Sequence, residues 1–183
     1  FELHKGEILG FGGLIGAGRT ELVRAIYGID SHTEGTITFD GQQNFKPSPK
    51  ASIKAGFGFV PEDRRGQGFI PLLSTTRNVA LPNYDIIKKN GLAINEKSEL
   101  DMALHTIKSI DVRPNDPDKQ VGLMSGGNQQ KVVLGKWLER DLKILIVDEP
   151  TAGIDVGAKD EIYNILEQLA QKGVGIILVS SDL

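Results

Sequence analysis

The sequence predicts an α/β fold: a mainly parallel β-sheet with one antiparallel β excursion and an inserted helical subdomain. Three observations lead to it. Short apolar runs alternate with segments of helical periodicity, a glycine-spaced loop separates the first run from the first helix, and the run Ile144–Val147 is continuously apolar before two acidic residues. A strand buried on both faces requires such a run, and a parallel sheet places its ligand site at the carboxyl ends of the strands.

The N-terminal part of the chain predicts a strand, a loop and a helix, and then the antiparallel excursion. Glu7–Phe11 is a short apolar run, and Arg19–Tyr27 has apolar residues at helical spacing. Thr36–Phe39 alternates apolar and polar residues and ends in Asp40-Gly41, a strong hairpin signal. Phe57–Val60 is expected to be the next strand.

A helical pattern extends from Ser74 to about Asn115 and predicts the inserted subdomain. Its apolar stripe, expected to be buried, consists of Leu100, Ala103, Leu104, Ile107 and Ile110. We expect residues 74–137 to form the subdomain, and residues 1–73 with 138–183 to form the core.

Two further helices and a last strand complete the pattern. Ser125–Glu139 is expected to be a helix that turns Val132, Val133, Trp137 and Leu138 toward the core. Gly157–Gln171 is expected to be amphipathic, with Ile162, Ile165, Leu166 and Leu169 inward and a stop at Gly173. Gly175–Val179 follows as the final strand.

Composition excludes several classes of protein. The chain has 183 residues and no cysteine, which rules out a disulfide framework and a thiolate metal site. A net charge of -3 with scattered lysine and arginine argues against a nucleic-acid partner. No run approaches the roughly 18 to 20 apolar residues of a membrane span, and no secretion signal is recognisable.

Because the sequence begins within an expected strand, Phe1–Leu3, and stops just after another, we expect a fragment of a longer polypeptide.

The segment Gly13–Thr20, here called the phosphate loop, fits the spacing G-x-x-x-x-G-K-[ST] except for Arg19 in place of lysine. Backbone N–H groups of such a loop and the following helix N-terminus cradle phosphate oxygens. The residues expected to contact the nucleotide are Gly13, Gly16, Ala17, Gly18, Arg19, Thr20 and Glu21. Since a guanidinium is bulkier than an ammonium, binding is expected to persist while hydrolysis suffers.

Two acidic residues follow the buried strand. Asp148 ends it and could hold Mg²⁺ through water, together with the Thr20 hydroxyl, and Glu149 stands where a general base would orient water. A solvated strand end is the alternative interpretation of such a pair.

The segment Leu123–Gln130, LMSGGNQQ, opens a helix shortly before ILIVDEPT. Together these strings resemble ATP-binding cassette (ABC) ATPases, a family with the P-loop NTPase fold, and the resemblance extends along nearly the whole chain. It implies that this signature segment faces the ATP of a second cassette through Ser125, Gly126, Gly127 and Gln129. It also identifies Ala152–Asp155 as the D-loop, whose Asp155 is expected to cap the next helix as well.

Two further positions depart from the family pattern. Glu62 stands where a metal-contacting glutamine is usual, and Ser181 where the switch histidine is usual. With Arg19, three substitutions fall on one site while the signature segment is intact. We therefore hypothesise the degenerate half of a tandem ATPase, weak or inactive by itself, that completes its partner's site.

The strings GAGRTEL, VPEDRR, SGGNQQK and DEPTAGIDVGAK together resemble the second cassette of tandem ATP-binding subunits of bacterial monosaccharide importers. This resemblance implies ATP and Mg²⁺ as cofactors, and transport driven by nucleotide-dependent dimerisation with a second cassette. It also implies membrane permease subunits, indirectly a sugar-binding protein, and a peripheral location on the cytoplasmic face of the inner membrane. The alternatives are a non-catalytic nucleotide-gated dimerisation module and a soluble ABC ATPase unrelated to transport.

Overall fold

The computed structural model describes residues 1–14, 16–31, 34–89 and 93–181. Its helices are α1 (Arg19–Tyr27), α2 (Pro49–Ala55), α3 (Thr75–Ala80), α4 (Glu96–Ser109), α5 (Gly126–Leu138) and α6 (Val156–Gln171). Its strands are β1 (Ile8–Gly12), β2 (Phe57–Val60), β3 (Lys88–Lys89), β4 (Ala93–Ile94), β5 (Ile144–Asp148) and β6 (Gly175–Ser180). A π-helical turn spans Arg64–Gly68, and short 3₁₀ turns span Leu81–Asn83 and Val121–Leu123. None of the helices within this part of the chain is both long and apolar enough to span a membrane.

The first of two compact units, made of Phe1–Glu62, Leu142–Glu149 and Leu169–Leu183, contains a four-stranded sheet. Its strand order is β1-β6-β5-β2 and all three pairings are parallel. The register pairs Gly12 with Ser180 and Asp148 with Val179, so the carboxyl ends of β1, β5 and β6 meet at one edge. The predicted α/β class with a parallel sheet is confirmed.

The antiparallel excursion is smaller than expected. Asp40 and Gly41 both have positive φ, 51° and 77°, as the turn signal requires, and Phe39 forms an isolated antiparallel bridge with Gln42. The described residues of Thr36–Phe39 otherwise form no strand, and neither does Phe1–Leu3, so both predicted strands are wrong. Three phenylalanines pack there instead, with ring centroids 4.7 to 5.8 Å apart: Phe39, Phe45 and Phe57.

The second unit comprises Asp63–Asp141 and Pro150–Gln168, and α3, α4 and α5 pack together within it. The helical prediction for Ser74 to Asn115 is interrupted by the short hairpin of β3 and β4. Ala103 and Ile107 on α4 and Ile110 just after it are buried, but Leu100 and Leu104 are 40% and 42% exposed, so the predicted stripe is too wide. The boundaries proposed from the sequence, 73/74 and 137/138, remain a prediction.

The helices α5 and α6 agree with the prediction. Val132, Val133 and Trp137 on α5 are buried, and Leu138 is partly exposed. The four apolar residues predicted to face inward on α6 are all buried, and Gly173, with φ 94°, follows the helix.

Candidate functional site

The phosphate loop connects β1 to α1 in the first unit. Gly16 and Gly18 have φ 83° and 78°, in the left-handed region that favours glycine, while Ile15 lies outside the described residues. A Cβ at either glycine would meet no described atom within 4 Å. No side chain of the described chain caps α1, so its first N–H groups face an open cradle suited to an anion.

The Arg19 side chain runs from α1 across this loop to the ends of β5 and β6. Its Cδ would lie 3.6 Å from a Cβ at Gly13. Nη1 donates a 2.7 Å hydrogen bond to the Ser180 carbonyl, and Nη2 lies 3.6 Å from Glu149 Oε1. The side chains of Arg19 and Glu149 are each 12% exposed, which makes this a partly desolvated ion pair.

Asp148 is fully buried at the end of β5. Burial, the largest cause, raises the pKa of its carboxyl above the usual range, and the charges of Glu62 and Glu149 raise it further. The Thr20 hydroxyl and the Arg19 charge act in the opposite direction. Although that hydroxyl is close enough to lower the pKa, neither Asp148 oxygen completes a hydrogen bond with any described residue. Two buried oxygens without partners fit a bound cation.

No cluster of three or more histidine, cysteine, aspartate or glutamate side chains that could hold a metal occurs within the described ranges. A Mg²⁺ site built on Asp148 and Thr20 therefore needs oxygens from phosphate and water, which is how Mg²⁺ is commonly held in nucleotide sites. The chemistry of these two residues fits that requirement. Glu62 is exposed, and its negative charge raises the pKa of Asp148.

Glu149 is held in an unusual conformation. Its φ is 45°, in the left-handed region that is unfavourable for a residue with a side chain, and its N–H donates to the Val179 carbonyl at 2.9 Å. The Ser181 hydroxyl donates to Glu149 Oε2 at 3.1 Å, while Arg19 pairs with Oε1. Each oxygen of the predicted general base thus contacts a residue that departs from the family pattern.

The structure therefore brings five predicted site residues together in the first unit: Arg19, Thr20, Asp148, Glu149 and Ser181. The exposed Ala17 and Glu21 lie at the same loop and in the first turn of α1. The catalytic and binding roles of these residues remain predictions.

The signature segment lies in the second unit. Ser125 caps α5, and its Oγ accepts hydrogen bonds from the backbone N–H and the side-chain amide of Asn128, at 3.5 and 2.9 Å. A Cβ at Gly127 would lie 2.6 Å from Ala158 Cβ, so glycine permits this close approach of α5 and α6. Gln129 is 1% exposed and its Nε2 donates to the Met124 carbonyl at 3.0 Å. Its visible contacts are structural, and its predicted role in a second cassette's site remains a prediction.

The D-loop forms hydrogen bonds at both of its ends. Asp155 Oδ1 accepts the Ala158 N–H at 3.0 Å, which confirms the predicted cap. Arg64, which sequence analysis assigned no role, donates from Nη1 to the Ala152 carbonyl at 3.2 Å, and its Nη2 would lie 3.2 Å from a Cβ at Gly126. Burial, followed by the Arg65 charge, lowers the pKa of Arg64. One arginine therefore contacts both the D-loop and the start of α5.

Comparison with known proteins adds independent evidence. The family model described as ABC transporter matches residues 1–152. The chain is 47% identical over 183 residues to the arabinose import ATP-binding protein AraG of Pseudomonas savastanoi pv. phaseolicola, covering 100% of this chain and 36% of that protein. It is 46% identical over 183 residues to the ribose import ATP-binding protein RbsA of Lactococcus lactis subsp. cremoris, covering 100% of this chain and 37% of that protein. The chain thus spans about a third of the length of the curated relatives it matches.

Among solved structures, the chain is similar to a dimeric ATP-binding cassette in a post-hydrolysis state bound to ADP and Pi. The TM-score is 0.82 at 25% identity, and the match covers 100% of this chain and 78% of that one.

Proposed function

This chain belongs to the ABC transporter family, as a cassette of its ATPase class, and from this premise we propose that it binds Mg²⁺-ATP as one cassette of a bacterial sugar importer. The identity of 46 to 47% to arabinose and ribose import ATP-binding proteins supports the sugar class. We further propose that it is the second cassette of a tandem subunit, since it aligns over its full length with about a third of such proteins.

The observation that carries the proposal is the buried, unpartnered carboxylate of Asp148 beside an open phosphate loop. Asp148 and Thr20 would hold Mg²⁺, and the N–H groups of the loop and of the first turn of α1 would hold the phosphates. When bound, Mg²⁺-ATP supplies the phosphoryl group for transfer and the cation that compensates its charge.

The residues around this site also favour slow hydrolysis in it. A general base must be free to orient water, yet both oxygens of Glu149 contact Arg19 or Ser181. In our proposal, the chain holds nucleotide in its own degenerate site and offers Ser125, Gly126 and Gly127 to the nucleotide of a second cassette. Dimerisation of the two cassettes would then drive permease subunits fed by a sugar-binding protein, at the cytoplasmic face of the inner membrane.

One alternative is supported by the same contacts. If Glu149 is never released, the chain is a non-catalytic dimerisation module that nucleotide controls. The two proposals share nucleotide binding and differ in whether Glu149 participates in hydrolysis.

Calorimetry with Mg²⁺-ATP, together with steady-state ATPase assays, tests the proposal. We expect binding with little turnover in the native chain, and turnover gained in the variant R19K/S181H. The same double change with E149Q is the control, because it removes the base and should return turnover to background. Absence of Mg²⁺-ATP binding would refute nucleotide binding by this chain. Robust native turnover abolished by E149Q would refute the degenerate site.

A further inference from the structure

We propose that Arg19 and Ser181 are positioning residues that clamp the Glu149 carboxylate in the nucleotide-free chain, and that ATP phosphates compete with Glu149 for Arg19. The second half of this inference rests on the proposed function. The first half concerns only contacts made within this chain.

The clamp closes over both carboxylate oxygens of Glu149. Arg19 Nη2 lies 3.6 Å from Oε1, and Ser181 Oγ donates to Oε2 at 3.1 Å. The two contacts come from opposite ends of the sequence, one from the start of α1 and the other from just beyond β6. They meet because β1, β6 and β5 are neighbours in the sheet.

Arginine is suited to this clamp in a way that lysine is not. The planar guanidinium carries two separate amino groups, and here Nη1 binds the Ser180 carbonyl at 2.7 Å while Nη2 faces Glu149. A lysine has one nitrogen at the end of a flexible chain, so it cannot reproduce this fork. The Ser180 contact fixes the orientation in which Arg19 meets the carboxylate.

The same arginine faces the phosphate cradle. Its Nε would lie 3.8 Å from a Cβ at Gly13, at the beginning of the phosphate loop. A guanidinium pairs strongly with phosphate oxygens as well as with carboxylates. Since one amino group cannot face both anions at full strength, a phosphate in the loop and Glu149 would compete for Arg19.

The experiment is a set of double-mutant cycles on this chain. The first measures urea unfolding without nucleotide for the native chain, R19Q, E149Q and R19Q/E149Q. We expect the two single changes to be non-additive by at least about threefold in the unfolding equilibrium constant, as residues in contact are. A second cycle with S181A and E149Q measures the other side of the clamp and remains informative if R19Q does not fold. Additive effects in both cycles would overturn the clamp.

The next cycle measures the dissociation constant of Mg²⁺-ATP by calorimetry. We expect E149Q to tighten binding about tenfold in the native chain but less than threefold when combined with R19K. The reason is that lysine lacks the two amino groups with which Arg19 contacts the Ser180 carbonyl and Glu149 together. Simple charge repulsion between Glu149 and phosphate would give equal effects in both backgrounds and would overturn the competition.

Arg24 provides a matched control on the same helix. Its guanidinium is bound by Asp30 at 2.6 and 3.0 Å, so R24Q and E149Q should be additive in both measurements. If no variant bound Mg²⁺-ATP, the proposed function would fail, and the nucleotide-free cycles would still decide whether the clamp exists.

Discussion

Replacing Asp148 with asparagine should stabilise the nucleotide-free chain while weakening its binding of Mg²⁺-ATP. The side chain is fully buried, and neither of its oxygens has a hydrogen-bond partner in the described structure. A buried polar group left without partners costs about 1 to 3 kcal/mol, and a charged group costs more. An amide removes this charge, and with it the repulsion from the charges of Glu62 and Glu149 that raises the pKa of Asp148.

Part of this stabilisation is lost, because the Arg19 charge and the Thr20 hydroxyl stabilise the charged form of Asp148 in the native chain. We therefore expect D148N to raise the free energy of unfolding by about 1 to 2 kcal/mol. For a chain of this size, that corresponds to an increase of roughly 2 to 8 °C in Tm. The dissociation constant of Mg²⁺-ATP should rise more than tenfold, because the candidate Mg²⁺ site loses its carboxylate ligand.

Urea unfolding at pH 8 without nucleotide or Mg²⁺, followed by calorimetry with Mg²⁺-ATP, measures both effects. The control is D160N, the same chemical change at an exposed position of α6, which should alter stability by no more than about 0.5 kcal/mol. A D148N variant less stable than the native chain by 1 kcal/mol or more would refute the reasoning, since the carboxylate would then be contributing to the fold.

Two further predictions concern neighbouring residues of α5, Gly135 and Lys136. G135A should lower stability by about 1 to 3 kcal/mol, because the added methyl group would overlap the Thr106 methyl group; G157A, at an exposed helical position, should instead raise it by about 0.5 to 1 kcal/mol. Thermal unfolding compares the two, and equal effects would contradict the packing argument. Burial lowers the pKa of Lys136 to about 8, and its amine donates to the Gly68 carbonyl at 2.6 Å. Since the unfolded chain keeps this lysine protonated up to about pH 10.5, stability should rise by up to about 3 kcal/mol between pH 8 and 10.5. Urea unfolding across this range should show that rise reduced in K136M, and an unchanged pH dependence would contradict the assignment.

Several elements could be predicted because their signals are local. The Asp40-Gly41 turn forms with positive φ at both residues, and Ser125 and Asp155 cap the helices that follow them. The helix α2 was missed, although Ser48 caps it and Pro49 occupies its first turn. Its seven residues are too few for apolar periodicity to reveal, so only the capping signal was available.

Burial was less predictable than periodicity suggested. Leu100 and Leu104 lie on the apolar stripe of α4, yet both remain more than a third exposed. A helix buries only the arc that its neighbours cover, here α3 and α5, and the width of that arc depends on packing between distant segments.

The sequence by itself determined the local chemistry of the candidate site. Glycines at 16 and 18 favour a loop whose backbone is in the left-handed region at both residues. A continuous apolar run favours a buried strand, and Asp148 and Glu149 directly after that run carry the carboxylates. These outcomes depend on backbone sterics and on hydrophobicity over a few residues, both of which can be read directly from the chain.

Only the tertiary structure decided which of these groups meet. Arg19 lies 161 positions from the Ser180 carbonyl that it binds, and Ser181 lies 32 positions from the Glu149 that it contacts. Their meeting depends on the strand order β1-β6-β5-β2. Periodicity identifies strands, but it does not indicate which strand pairs with which. That pairing depends on the packing of the whole sheet.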